Sequence, residues 1–154
     1  MSALLKLVGA TAGAMLAGAV AVILLVPPTP EERRMFRQFE AEGFVRELSA
    51  AAWAYRAERG RFPAGDGHGS AGLAAAMAET GRDGRAFLDI SEEMRTPEGD
   101  LRNPYSPRDE VLHYRNNEAV PNAAARNRSS FDLWGRGSEG PEAVNNWGGS
   151  VPLP

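Results

Sequence analysis

The chain holds two histidines, His68 and His113, and no cysteine. Thiolate metal sites, disulfides and a cysteine nucleophile are thereby excluded. Metal binding or proton transfer by imidazole needs partner groups converging on it, and no spacing in the sequence supplies them. His68 sits in a glycine-rich run and reads as a loop histidine. His113 alternates with Leu112 and Tyr114 and reads as a strand-surface histidine. Serine, histidine and aspartate all occur, but no nucleophile elbow does. Residues 65–72 (GDGHGSAG) lack the Lys-Ser/Thr ending of a phosphate loop, which argues against nucleotide binding. Asp89, Glu92, Glu93, Glu98 and Asp100, partly balanced by Arg95 and Arg102, read as a solvated acidic loop. The net charge of −3 and the lack of a long basic run give no support to a nucleic-acid partner. A non-enzymatic protein is expected.

The elements that would position any site begin with residues 7–26, LVGATAGAMLAGAVAVILLV, an uncharged run. As a helix of ~1.5 Å rise per residue it spans ~30 Å, the thickness of a bilayer core. A cleaved secretory signal would need a shorter apolar core and a small-x-small site. Pro27-Pro28-Thr29-Pro30 follows instead, so a retained anchor is expected. Lys6 and the amino terminus precede the run, and mixed charges follow it. The positive-inside rule then places everything after residue 30 on the exported side. Gly9, Gly13 and Ala17, spaced by four, offer a face for close helix packing and self-association in the membrane.

Pro27-Pro28 breaks the membrane helix, and a new start follows at once. Thr29 suits an N-cap, Pro30 the first helical position and Glu32 the third position of a capping box. The spacing predicts a helix from there to Arg59, with Met35, Phe36, Phe39, Phe44, Val45, Leu48, Ala52 and Tyr55 as the stripe that packs on a sheet. Gly43 weakens it, Glu42 and Arg46 pair one turn apart, Gly60 caps it and Pro63 stops it. Beyond lie a glycine-rich loop and a short helix from Ala71 to about Thr80, capped by Ser70. Residues 81–108 read mostly as loop. Strands are expected at residues 111–114 and 130–134, and loop from Gly135 onward with Trp147 as an anchor. The expected fold is α+β, an amphipathic helix on a small antiparallel sheet with long loops.

Three stretches then carry a family resemblance. Residues 54–63 (AYRAERGRFP) resemble the helix end of bacterial pseudopilins, where an aromatic precedes a G-R-[YF]-P turn. Residues 100–105 (DLRNPY) are similar to the D-P-W-G-N-P-Y segment of the major pseudopilin of type II secretion. Residues 131–147 (FDLWGRGSEGPEAVNNW) resemble that family's Y-D-L-Y-S-x-G-x-D-G segment and its terminal N-W. Together they lie within residues 31–148, in the family's order.

The resemblance implies an atypical pseudopilin-like protein. Residues 1–28 would be a transmembrane anchor and 29–154 a periplasmic domain of a single-pass inner-membrane protein. Its partners would be membrane lipid and other subunits of a type II secretion or related envelope assembly. It also implies calcium in the C-terminal loop, with Glu139, matching the family's acidic position, and Glu142, Asn145 and Asn146 as oxygen donors. The family's second acidic cluster is here Ala143-Val144-Asn145-Asn146. The family's G-F-x-x-x-E site before the apolar run, whose glutamate pairs with a neighbour's amino terminus, is missing, because residues 1–30 hold no acid. Residues 43–47 (GFVRE) match those letters by chance, since no membrane-length apolar run follows. A fixed accessory subunit is therefore expected rather than a filament subunit. The alternative is a membrane-tethered binding module that captures a protein, peptide or glycan through exposed aromatics at residues 131–134.

Overall fold

The computed structural model describes residues 27–104, 106, 110–122, 124–136 and 143–147. The chain divides into two compact units, Met1–Arg33 and Arg34–Pro154, and the second holds the sheet and the core. The apolar run at residues 7–26, with Gly9, Gly13 and Ala17, lies outside the described residues. Among the described helices none is long and apolar enough to cross a membrane.

Helix α1 runs from Pro30 to Arg59. Its start is a reciprocal capping box. The Thr29 amide donates to Glu32 Oε2 at 2.7 Å, and the Glu32 amide donates to Thr29 Oγ1 at 3.2 Å. Two amide donors are satisfied in this way at an end where the helix has no carbonyl to offer them. The bonds with Thr29 hold the Glu32 carboxyl below the usual carboxylate range. At the other end Gly60 adopts φ 74°, and its amide donates to the Arg56 carbonyl at 2.8 Å. Only glycine takes that left-handed position without strain.

The buried face of α1 comprises Ala41, Val45, Leu48, Ala51, Ala52 and Tyr55. The stripe expected from the sequence holds from Phe44 onward and fails before it. Met35, Phe36 and Phe39 are 65%, 64% and 71% exposed. They fall in a sector of ~100°, on the side of the helix roughly opposite the buried face. The apolar side thus switches faces near residue 40. The expected Glu42–Arg46 pair is also replaced, since Glu42 Oε1 accepts from Gln38 Nε2 at 2.9 Å. Nothing approaches within 4 Å of the position a Cβ would take at Gly43. Gly43→Ala is expected to stabilise the domain by about 1 kcal/mol, through helix propensity alone, and urea unfolding of the full chain in detergent checks it.

The sheet has the order β1-β2-β3 and is antiparallel throughout. Strand β1 is His113–Asn116, β2 is Phe131–Arg136 and β3 is Ala143–Asn145. The register pairs Tyr114 with Leu133 and Asn116 with Phe131 on one side of β2, and Gly135 with Val144 on the other. Tyr114, Phe131, Leu133 and Val144 join the buried face of α1 in one core with Phe62, Leu73, Met77, Leu101 and Leu112. This is the α+β arrangement of one long helix and a small antiparallel sheet. Two expectations shift. β1 begins two residues later than predicted, since pairing with β2 starts at His113 and Trp134, while Val111 bridges Arg102 instead. The C-terminal stretch, expected to be loop, supplies β3.

The second helix, α2, is Ala71–Ala78. Ser70 precedes it as expected, but its side chain does not cap it. Asp100 does so from thirty residues away. Its Oδ1 accepts the Ser70 and Ala71 amides at 2.6 and 2.8 Å, while Ser70 Oγ accepts the Leu101 amide at 2.8 Å. Asp100 is therefore a helix cap rather than a solvated loop carboxylate, and its charge also suits the positive end of the helix dipole. Residues 81–104 are mostly loop, as expected, with a single 3-10 turn at Glu92–Met94.

The glycine-rich run lies along the outer edge of β1. Gly67 donates to the Tyr114 carbonyl, Tyr114 donates to Gly69 and Asn116 donates to Gly65, at 2.8 to 3.0 Å. A Cβ at Gly65 would collide with the Tyr114 ring, and one at Gly69 with the Asp100 carboxylate. Glycine suits these positions because the run pairs with β1 while the side chains of Tyr114 and Asp100 fill the space a Cβ would take.

Candidate functional site

Two surfaces carry large side chains outside the core, the outer face of the sheet with its C-terminal loop and the free face of α1. On the first, alternation along β1 and β2 turns His113, Arg115 and Trp134 away from the core. The His113 ring stacks on Trp134 at a centroid distance of 5.5 Å and 23°. The Arg115 guanidinium lies 5.4 Å from the Trp134 ring centre, and Trp147 tilts against it at 6.2 Å. Trp147 thus packs on the outside of the sheet. Phe131, Leu133 and Trp134 are only 1%, 0% and 6% exposed. The exposed aromatics on which a capture module would have relied are therefore buried, since they belong to a strand and not to a loop.

Below them lies a polar network. Asp132, 3% exposed, accepts the Arg126 amide at 2.9 Å on Oδ2 and the Asn127 amide at 2.8 Å on Oδ1. Asn146 Oδ1 accepts from the Leu133 amide at 3.0 Å and from Asn127 Nδ2 at 3.3 Å, and its Nδ2 donates to the Phe131 carbonyl. Asn116 Nδ2 donates to the carbonyls of Phe62 and Pro63, and Asn116 Oδ1 accepts from the amides of Glu118 and Ala119. These carboxyl and carboxamide groups replace secondary structure as hydrogen-bond partners for the turn-rich segment between β1 and β2. Sequence reasoning missed Asp132. The signal was there: a lone charge inside an apolar strand, next to a loop with several asparagines.

Of the calcium donors implied by the resemblance, Glu139 and Glu142 lie outside the described residues. Asn145 Oδ1 accepts the Trp147 amide at 3.1 Å. The Asn146 oxygen already takes two hydrogen bonds, so a cation there would displace one of them. No group of three or more His, Asp or Glu suited to a metal ion occurs among the described residues.

The structure brings His68 near enough to His113 for their charges to repel, with Asp100 and Glu110 also in electrostatic range of His113. Burial draws the His113 imidazole below its ordinary value, against the opposing pull of the Gly67 backbone and the two carboxylates. Its Nδ1 is buried with no hydrogen-bond partner. The unfolded chain binds a proton more readily here than the folded one. The domain is therefore stabilised above the unfolded value of about 6.5 and loses that contribution as pH falls through the lower folded value. His113→Gln is expected to flatten this acid side of the stability profile, measured by urea unfolding between about pH 7.5 and 5.

An open groove of about 590 Å³ lies between the end of α1, α2 and the turn after β1, with Tyr55, Phe62, Ala76, Glu79, Asn116 and Glu118 in its wall. Its carboxylates are engaged. Glu79 accepts from the Tyr55 hydroxyl at 3.3 Å and sits 3.5 Å from Arg59, and Glu118 pairs with Arg56 at 2.8 Å. Neither is poised for proton transfer to a ligand.

On the free face of α1, Met35, Phe36 and Phe39 stand in the open, and no hydrogen bond or ion pair engages the guanidinium groups of Arg33, Arg34 and Arg37 among the described residues. Comparison with known proteins leaves the reading to the geometry: no family model, curated protein or solved structure matches the chain.

Proposed function

We propose that this chain is a non-enzymatic, pseudopilin-like subunit of a type II secretion or related envelope assembly, held in the inner membrane by residues 1–28 with residues 29–154 in the periplasm. One observation carries the reading. The three segments that resemble the pseudopilins, far apart in sequence, come into contact along β2, the first at its start and the second at its end. The Phe62 and Phe131 rings touch edge-to-face at 5.1 Å, and Asn103 Nδ2 donates to the Arg136 carbonyl at 2.6 Å. The resemblance implies an amphipathic helix packed on a small antiparallel sheet, and the α+β arrangement of one long helix and a three-stranded antiparallel sheet supports the reading. The absence of an acid in residues 1–30 favours a fixed accessory role over polymerisation.

Mild crosslinking of native membranes, followed by identification of the adducts, tests this. Secretion or envelope components are expected. Their consistent absence would count against the assembly role. The mature amino terminus, read by intact-mass spectrometry, is a second check. A chain that keeps residues 7–26 supports the permanent anchor, and one that starts at Phe44 would mean processing of a prepilin kind.

A further inference from the structure

The first three turns of α1 present a surface that the domain leaves uncovered. Residues 33–39 read Arg-Arg-Met-Phe-Arg-Gln-Phe, with three arginines, three large apolar side chains and no acid. Met35, Phe36 and Phe39 are each about two-thirds exposed. They point away from the core on which Val45, Leu48 and Tyr55 pack further along the same helix. Three such side chains standing together in water make an apolar patch of the kind that marks a contact surface, so a cover is to be expected. Two features select the cover. The stripe begins nine residues after the apolar run ends at Val26, and Pro27-Pro28 lets the chain turn before α1 starts. The charge of the segment is the second: no acid lies between Arg33 and Phe39, Glu32 is folded back onto Thr29 in the capping box, and the other neighbouring acids are Glu31, one turn before Met35, and Glu40 and Glu42 after Phe39.

We infer that residues 33–39 lie in the membrane surface, with Met35, Phe36 and Phe39 at the boundary between headgroups and acyl chains and the three arginines on anionic phosphates. A basic helix segment with large apolar side chains on one face has the composition of an interfacial helix. Arginine stems also snorkel, so their position around the helix does not stop the guanidinium groups from reaching phosphate. Each arginine near an anionic surface adds attraction that fades within a Debye length. The inference rests on the proposed anchor, which brings this segment to the bilayer. Its function is to fix the direction in which α1 leaves the membrane, so that the domain is presented at a set angle to its assembly.

The test uses the full chain in vesicles of phosphatidylethanolamine and phosphatidylglycerol. The chain has no cysteine, so single cysteine substitutions at positions 35 to 40 each carry one nitroxide. Accessibility to oxygen, which concentrates in lipid, and to a water-soluble nickel complex is read by power saturation. Oxygen contact is expected to peak, and nickel contact to dip, at 35, 36 and 39, with the reverse at 37 and 38. The triple change R33Q/R34Q/R37Q is expected to weaken that pattern. High nickel contact at all six positions would overturn the inference by placing the stripe in water. Exclusion of both probes would also overturn it, in favour of contact with protein, including a second copy of this chain. Flotation of the same vesicles separates the two readings. A chain that floats without the oxygen pattern refutes the surface docking alone, and one that does not float refutes the anchor as well.

Discussion

Replacing Phe131 with alanine is expected to lower the unfolding free energy of the domain by about 3–5 kcal/mol. Phe131 is 1% exposed and opens β2. Its ring lies 5.1 Å from Phe62, 5.5 Å from Tyr114 and 6.3 Å from Trp53. Truncation removes aromatic pairing with three neighbours as well as buried area, and it leaves a cavity that a short strand between two others cannot collapse to fill. Domains of this size are stable by only about 5–15 kcal/mol, so the variant should be near the edge of folding at physiological temperature. Phe131→Leu keeps most of the volume and is expected to lose about 1–2 kcal/mol, from the ring contacts. Urea unfolding of the full chain in detergent, followed by near-ultraviolet circular dichroism, measures both. A loss under about 1 kcal/mol for the alanine variant would mean that the contact joining the end of α1 to β2 is not central to the core.

Replacing Asp132 with alanine is expected to cost about 2–4 kcal/mol. The carboxylate is buried and divides its two oxygens between the amides of Arg126 and Asn127. Alanine leaves both donors without an acceptor where solvent is scarce, and each such orphan costs about 1–3 kcal/mol. Asp132→Asn keeps one acceptor and turns a donor toward the other amide, so it should fall between wild type and alanine. Amide hydrogen exchange distinguishes this local role from general weakening. Residues 126 and 127 should exchange much faster in the alanine variant, well before the amides of α1 change. Unaltered protection at those two positions would show that the loop is held by Asn127 and Asn146 without the carboxylate.

These two residues also mark how far the sequence could be read. Features fixed by neighbours in the chain were legible: the capping box of Thr29 and Glu32, the stop at Gly60, the short helix after Ser70 and the apolar pattern around Phe131. Features set by distant residues were not. Asp100 caps α2 from thirty residues away, and Asp132 serves a loop that precedes it. β3 is three residues, Ala143–Asn145, too short for a period of two to declare itself. The first half of the stripe on α1 misled because a helical period reports that a face is apolar without saying what covers it. Met35, Phe36 and Phe39 are in phase with one another but roughly half a turn out of phase with Val45, Leu48 and Tyr55, so the face they belong to is not the one that meets the sheet. For the candidate site, the segments that resemble the pseudopilins were visible as letters, but the burial of Trp134 behind His113, Arg115 and Trp147 was not. Alternation alone placed those aromatics without showing that the outer face of the sheet would be filled.

The glycine-rich run along β1 has a consequence for how the protein can fail. With residues 65–69 in place, the amides of Tyr114 and Asn116 face a partner of their own chain, and a foreign strand finds nothing to pair with. A protease cut in this run, or a side chain there that lifts it away, would bare one edge of a three-stranded sheet and so create a template for strand addition between molecules. Damage at that loop should therefore appear first as aggregation, before any loss of the helix or the core.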